Sequence, residues 1–125
     1  MLFDTDVLIW VLRGNRKAAA CIEENEDRSI AVVSLMELFQ GARDRPEIRL
    51  IKDFLGDFGF RTVPLTENIG HRAVIYMEQQ ALRSGLRMAD ALIAATAVEN
   101  HLGLLSGDSR HFRALPGLDL RTFKP

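Results

Sequence analysis

Apolar positions along the 125-residue chain fall into short unbroken runs and longer stretches at helical spacing. Met1-Leu2-Phe3 runs straight into Asp4, and Val7, Leu8, Ile9, Trp10 and Leu12 follow at once. This predicts a short buried strand ending in a carboxylate, then a helix. Ala18, Ala19, Ala20 and Ile22 among charges predict a second helix over Asn15 to Glu26. Ser29-Ile30-Ala31-Val32-Val33 has the pattern of a strand buried on both faces, after which Ser34 opens a helix to about Ala42. Pro46 suits the first turn of a helix over Glu47 to about Phe58, which Gly59 stops. Arg61 to Leu65 reads as the third strand, and Thr66 as the N-cap of a long helix to about Arg83. Ser84-Gly85 breaks that helix, and Met88 to about His101, rich in Ala and Leu, forms the next. Leu104-Leu105-Ser106 is the fourth strand, Asp108 to Leu115 gives one or two helical turns, and Leu118 to Phe123 is a last strand.

Strands that alternate with helices predict an α/β fold of three layers, α/β/α, around a mainly parallel sheet of roughly five strands. The length suits a single domain over residues 1–125. No apolar run approaches the roughly 20 residues of a membrane span, and the start carries no basic region of a signal peptide. Cys21 is the only cysteine, so no intrachain disulfide forms and a cytoplasmic location is expected. A net charge of −1 argues against a salt-driven coater of DNA. Thirteen of the 16 basic residues are arginine, whose planar fork suits phosphate, although base composition of the genome explains the bias equally well.

The acids carry the chemistry. A helix packed on a parallel sheet in right-handed βαβ units runs antiparallel to the strands, so strand ends and helix starts share one edge. Asp4 ends the first strand, Glu37 lies in the helix after the second, and Asp108 lies just past the fourth. Asp90 opens a helix that must descend towards the start of the fourth strand, which puts its first turn at the same edge. The helix before it, Thr66 to Arg83, must then return the chain to that edge rather than act as an ordinary crossover.

Each acid also has a structural explanation. Ser34-Leu35-Met36-Glu37 fits a capping box, Asp90 suits the helix dipole, and Asp4 and Asp108 suit caps or turns. Four like charges at one edge nonetheless repel and raise one another's pKa. A shared cation relieves that cost, and carboxylate oxygens suit Mg²⁺, with Mn²⁺ also plausible. No competing constellation is present: Cys21 sits in a polar helix, and His71, His101 and His111 lack metal-ligand spacing. No phosphate-binding glycine loop occurs. His111, three residues after Asp108, is read as a packing or helix-end residue, with substrate contact as the alternative. Arg87, Arg110 and Arg113 flank the acidic edge as phosphate-holding candidates or as ordinary solvated arginines.

Four stretches together resemble the PIN-domain family, and within it the VapC-type toxins of bacterial toxin–antitoxin modules. They are Leu2-Phe3-Asp4-Thr5-Asp6-Val7-Leu8-Ile9, Ser34-Leu35-Met36-Glu37-Leu38-Phe39-Gln40-Gly41, Met88-Ala89-Asp90-Ala91-Leu92-Ile93-Ala94-Ala95-Thr96-Ala97 and Leu104-Leu105-Ser106-Gly107-Asp108-Ser109-Arg110-His111-Phe112. The resemblance implies a metal-dependent endoribonuclease that cleaves RNA by water attack, leaving 5′-phosphate and 3′-hydroxyl ends. It implies Asp4 and Asp90 as primary metal ligands, with Glu37 and Asp108 completing an acidic quartet. Thr5 and Ser106 would hydrogen-bond to those ligands, and Asp6 would be a peripheral acid where Asn is frequent. It further implies a homodimer, a small antitoxin that blocks the site, and a larger toxin–antitoxin assembly. Gly107 departs from relatives that carry a basic residue there, which puts one phosphate contact in doubt. The alternatives are a catalytically idle PIN fold that binds RNA or protein, and, within the enzyme reading, DNA as substrate. A signalling receiver domain fails because no lone phospho-acceptor Asp follows the third strand.

Overall fold

The computed structural model describes residues 1–125. In chain order the elements are β1 (Leu2–Phe3), α1 (Thr5–Leu12), α2 (Arg16–Glu24), β2 (Ser29–Ala31), α3 (Val32–Gln40) and α4 (Arg45–Asp57). They continue with β3 (Arg61–Val63), α5 (Glu67–Ser84), α6 (Met88–Glu99), β4 (Leu104–Ser106), α7 (Ser109–Phe112) and β5 (Leu120–Thr122). The five strands form one sheet in the order β3-β2-β1-β4-β5, and every pairing is parallel. The expected three-layer class holds.

Alternation along the strands explains the layers. Leu2, Ala31, Val63 and Leu104 face a core shared with α5, α6 and α7. Their neighbours Phe3, Ile30 and Leu105 face a second core built with α1, α2 and α4. Strands buried on both faces are apolar at consecutive positions, which is why the sequence shows runs rather than alternation. Neither core excludes α3, which gives Val33 to one and Leu38 to the other.

Two expectations about boundaries are corrected. β2 ends at Ala31, and Val32 and Val33 already belong to α3. The cause is the shallow sheet: β1 contributes only two residues, and the β2–β3 ladder ends at Ala31 opposite Val63. β3 likewise stops before Pro64, which has no N–H to continue a ladder. The N-cap at Thr66 forms as expected, its hydroxyl accepting from the Ile69 N–H at 3.2 Å, and Gly85 ends α5 at φ 72°.

The sheet reverses direction of growth between β1 and β4. Chain growth runs outward from β1 through β2 to β3, then returns to the other side of β1 to add β4 and β5. A crevice outside the carboxyl ends of strands at such a switch point is where open α/β sheets bind ligands. The helix pair α5 and α6 completes this edge. Arg72, early in α5, pairs with Glu99 at the end of α6, whereas Gly85-Leu86-Arg87 joins their other ends. The two helices are therefore antiparallel, and α5 climbs back to the carboxyl edge, as the placement of Asp90 requires.

Candidate metal centre

Asp4 sits at the switch point. Its backbone N–H donates to the Leu105 carbonyl at 2.9 Å, which extends the β1–β4 ladder by one step. Its carboxylate caps α1 by accepting from the Thr5 N–H at 2.8 Å, and accepts from the Ser106 hydroxyl at 2.7 Å. Ser106 Oγ in turn accepts the Asp108 N–H at 2.9 Å. One hydroxyl thus couples an acid at residue 4 to the loop carrying an acid at residue 108. Asp4 is only 6% exposed. Burial, and then the charge of Asp6, push its pKa up to about 7 against the bonds from Ser106 and Thr5.

Glu37 reaches the same place from α3. The Thr5 hydroxyl donates to Glu37 Oε1 at 2.7 Å. This corrects the capping-box expectation: because α3 starts at Val32, Ser34 lies inside the helix and Glu37 in its second turn. Ser34 Oγ is buried without a partner, so Glu37 is not held there by capping.

Asp90 opens α6 and accepts weakly from the Arg87 N–H at 3.4 Å. Burial raises its pKa, the Arg87 bond opposes the rise, and the charges of Asp108 and Glu37 add to it. Asp108 caps α7, accepting from the His111 N–H at 3.3 Å. The structural explanations for Asp4, Asp90 and Asp108 are therefore true, and they do not exclude a ligand. Capping engages part of a carboxylate's lone-pair capacity and leaves the rest.

Two features escaped the sequence. Asp6, expected at the periphery, accepts from the Gly107 N–H at 2.9 Å through Oδ2, while its Oδ1 is buried with no partner. Burial raises its pKa, and the Asp108 charge contributes. A Cβ on Gly107 would lie 2.7 Å from Asp6 Oδ2 and 3.4 Å from the Phe123 carbonyl. A side chain at 107 would therefore crowd the acid at 6, a contact that only the coordinates show. The other feature is His111, whose Nδ1 lies 2.5 Å from Asp108 Oδ2. Ligand-capable atoms of Asp90, Asp108 and His111 all fall within 4.8 Å of one another.

Asp4, Asp6, Glu37, Asp90 and Asp108 therefore form one electrostatically linked group from separate segments of the chain. No lysine or arginine forms an ion pair with any of them. Arg87, Arg110 and Arg113 are exposed, and the structure does not bring their side chains into the cluster. Burial, and then the charge of Glu24, raise the pKa of the Cys21 thiol.

The donor set fits a divalent cation. It consists of hard carboxylate oxygens with one imidazole, includes a buried oxygen lacking any partner, and holds like charges that desolvation already disfavours. Beside Glu37 a groove of about 560 Å³ opens between α1, α3 and α4. Its floor is apolar, with Ile9, Leu12, Leu38 and Ile51, and Arg13, Arg43 and Glu47 stand at its rim. No helix is long and apolar enough to cross a membrane.

The chain is similar over nearly its whole length to several solved structures. A toxin–antitoxin complex from Klebsiella pneumoniae shares 27% identity at a TM-score of 0.81, over 97% of this chain and 95% of that one. DNA-bound VapBC from Salmonella typhimurium, 19% identical, has a TM-score of 0.82 over 97% and 96% of the two chains. FitAcB from Neisseria gonorrhoeae, 24% identical, has a TM-score of 0.74 over 99% and 96%. No curated protein matches the sequence. The family described as PIN domain matches residues 1–118, nearly the whole chain and every segment that supplies an acid to the cluster. The chain belongs to the PIN-domain family.

Proposed function

We propose that this protein is the toxin of a VapBC-type toxin–antitoxin system, a divalent-metal-dependent endoribonuclease acting through Asp4, Glu37, Asp90 and Asp108. The observation that carries the reading is the gathering of carboxylates from four distant segments at a sheet switch point with no lysine or arginine paired to them. Such an arrangement costs folding free energy through desolvation and repulsion, and it gains a function when a cation is bound. The likeness to toxin–antitoxin complexes supports the same reading.

A bound Mg²⁺ or Mn²⁺, held by these carboxylates, would make water easier to deprotonate to the attacking hydroxide and would supply charge to steady the phosphoryl oxygens. The protein's own residues prepare the place. Asp4, buried with its pKa raised to about 7, would hold the ion together with Asp90. Ser106 and the Thr5 N–H fix its two oxygens, while the Thr5 hydroxyl fixes one oxygen of Glu37 and leaves the other free. Asp6 is held by the Gly107 N–H, so it shapes the field around Asp4 and Asp108 from a set position.

The groove beside Glu37 suits an amphipathic antitoxin segment, whose apolar face would meet Ile9, Leu12 and Ile51. Exposed Ile75 and Leu82, seven residues apart on α5, offer apolar area to a second copy in a homodimer. The decisive experiment incubates purified protein with cellular RNA, with and without Mg²⁺ or Mn²⁺, and maps the ends produced. Metal-dependent internal cuts carrying 5′-phosphates are expected, absent in Asp90→Asn. Cleavage that persists in that variant and in EDTA would overturn the assignment.

A further inference from the structure

Among the acids at this edge stands one nitrogen donor, His111 on α7, with a side chain 26% exposed. Its backbone N–H already caps the helix by donating to Asp108 Oδ1 at 3.3 Å, so the ring is not needed for the cap. The ring nevertheless turns back, and Nδ1 lies 2.5 Å from Asp108 Oδ2. In a neutral imidazole one nitrogen donates and the other keeps a lone pair. The contact with Asp108 holds the ring, and with it a nitrogen lone pair, among the carboxylate oxygens of this edge.

Reach supports the same conclusion. Ligand-capable atoms of His111, Asp90 and Asp108 lie within 4.8 Å of one another. Two donors on opposite sides of an ion, each about 2.1 Å away, are roughly 4.2 Å apart. The three atoms therefore lie close to the spacing that ligands of one ion require. The other histidines are elsewhere: His71 is exposed beside Glu67 on α5, and His101 follows α6 at the opposite end of the sheet.

We propose that His111 is a direct nitrogen ligand of the ion at this edge, and that it biases the site towards a transition ion such as Mn²⁺ over Mg²⁺. The proposal rests on the metal-dependent reading above. Mg²⁺ takes oxygen almost exclusively, whereas imidazole strengthens binding of first-row transition ions. An all-carboxylate site would lack this bias.

The test loads metal-free protein with Mn²⁺ and with Mg²⁺, measures both affinities by calorimetry, and reads ¹⁴N coupling to Mn²⁺ by pulsed electron paramagnetic resonance. Wild type is expected to show histidine ¹⁴N coupling, lost in His111→Gln together with at least about tenfold in Mn²⁺ affinity and little in Mg²⁺ affinity. His111→Asp, which replaces nitrogen by oxygen, is expected to recover binding but with a lower ratio of Mn²⁺ to Mg²⁺ affinity. Thermal melting of each variant checks that it is folded. Mn²⁺ binding that Asp90→Asn abolishes, but without ¹⁴N coupling in wild type, would overturn the role of His111 and leave the carboxylate site standing. If wild type binds neither ion, or binds them indifferently to Asp90→Asn, the metal site itself falls and the proposal with it.

Discussion

The two ends of the sheet treat charge in opposite ways. At the amino edge, acids are matched with cations: Arg72 with Glu99, Arg121 with Asp119 at 3.0 Å, and the chain's amino group with Asp27 at 4.0 Å. These groups are partly or largely solvated, and such pairs contribute little each. At the carboxyl edge, five carboxylates share one region with no lysine or arginine paired to them, and the most buried, Asp4, has its pKa raised to about 7. One edge is matched within the chain, and the other is left uncompensated, as the proposed metal site requires.

The sharpest way to break this contrast is to remove carboxylates from the carboxyl edge. Asp90→Asn and Asp4→Asn are each expected to lower RNA cleavage at least about a thousandfold, the several kcal/mol that a lost metal ligand represents in the transition state. Single-turnover assays in Mg²⁺ and Mn²⁺ measure this. The same Asp4→Asn change should stabilise the metal-free protein. Folded Asp4 keeps its proton up to about pH 7, whereas the unfolded carboxyl releases it near 3.8. Between those values the folded state binds more protons, so its stability falls as pH rises, and above about 7 the loss is complete. The variant escapes that loss, which gives it an advantage of about 2–4 kcal/mol at pH 8 that shrinks towards pH 4. Denaturant melts across pH measure it, and an advantage that grows on acidification would refute the cause assigned.

Smaller effects sharpen the picture. Thr5→Val removes the hydroxyl that holds Glu37, and activity is expected to drop about 10- to 100-fold with the fold intact. Gly107→Ala forces a methyl against Asp6 Oδ2 and the Phe123 carbonyl, at an expected cost of about 1–3 kcal/mol. In an Asp6→Ala background most of that cost should vanish, and a double-mutant cycle reads the coupling. At the opposite edge, Arg72→Ala should change stability by about 1 kcal/mol or less and leave cleavage unchanged.

The sequence was informative where physics is local. Apolar runs marked the inner strands β1, β2 and β4; β2 proved shorter than its run beside a two-residue β1, and the edge strand β3 stops before Pro64. Thr66 and Gly85 marked their helix ends through hydrogen-bonding capacity and a positive φ. The parallel topology then placed Asp4, Glu37, Asp90 and Asp108 at one edge without coordinates. The capping box at Ser34 misled because it too is a local pattern, valid only if the helix begins where the pattern suggests.

What the chain determined by itself is the order of its elements, their parallel assembly and which acids end up at the carboxyl edge, since periodicity, caps and crossover handedness are properties of neighbouring residues. Tertiary structure alone decided which atoms meet there. The Ser106–Asp4 bond spans 102 positions and the Gly107–Asp6 bond 101, and the partnership of Thr5 with Glu37 spans 32. Contacts of that separation arise when β1 and β4 pair and α3 packs over α1, and no local rule encodes them, because their distances are set by how layers pack rather than by which residue follows which.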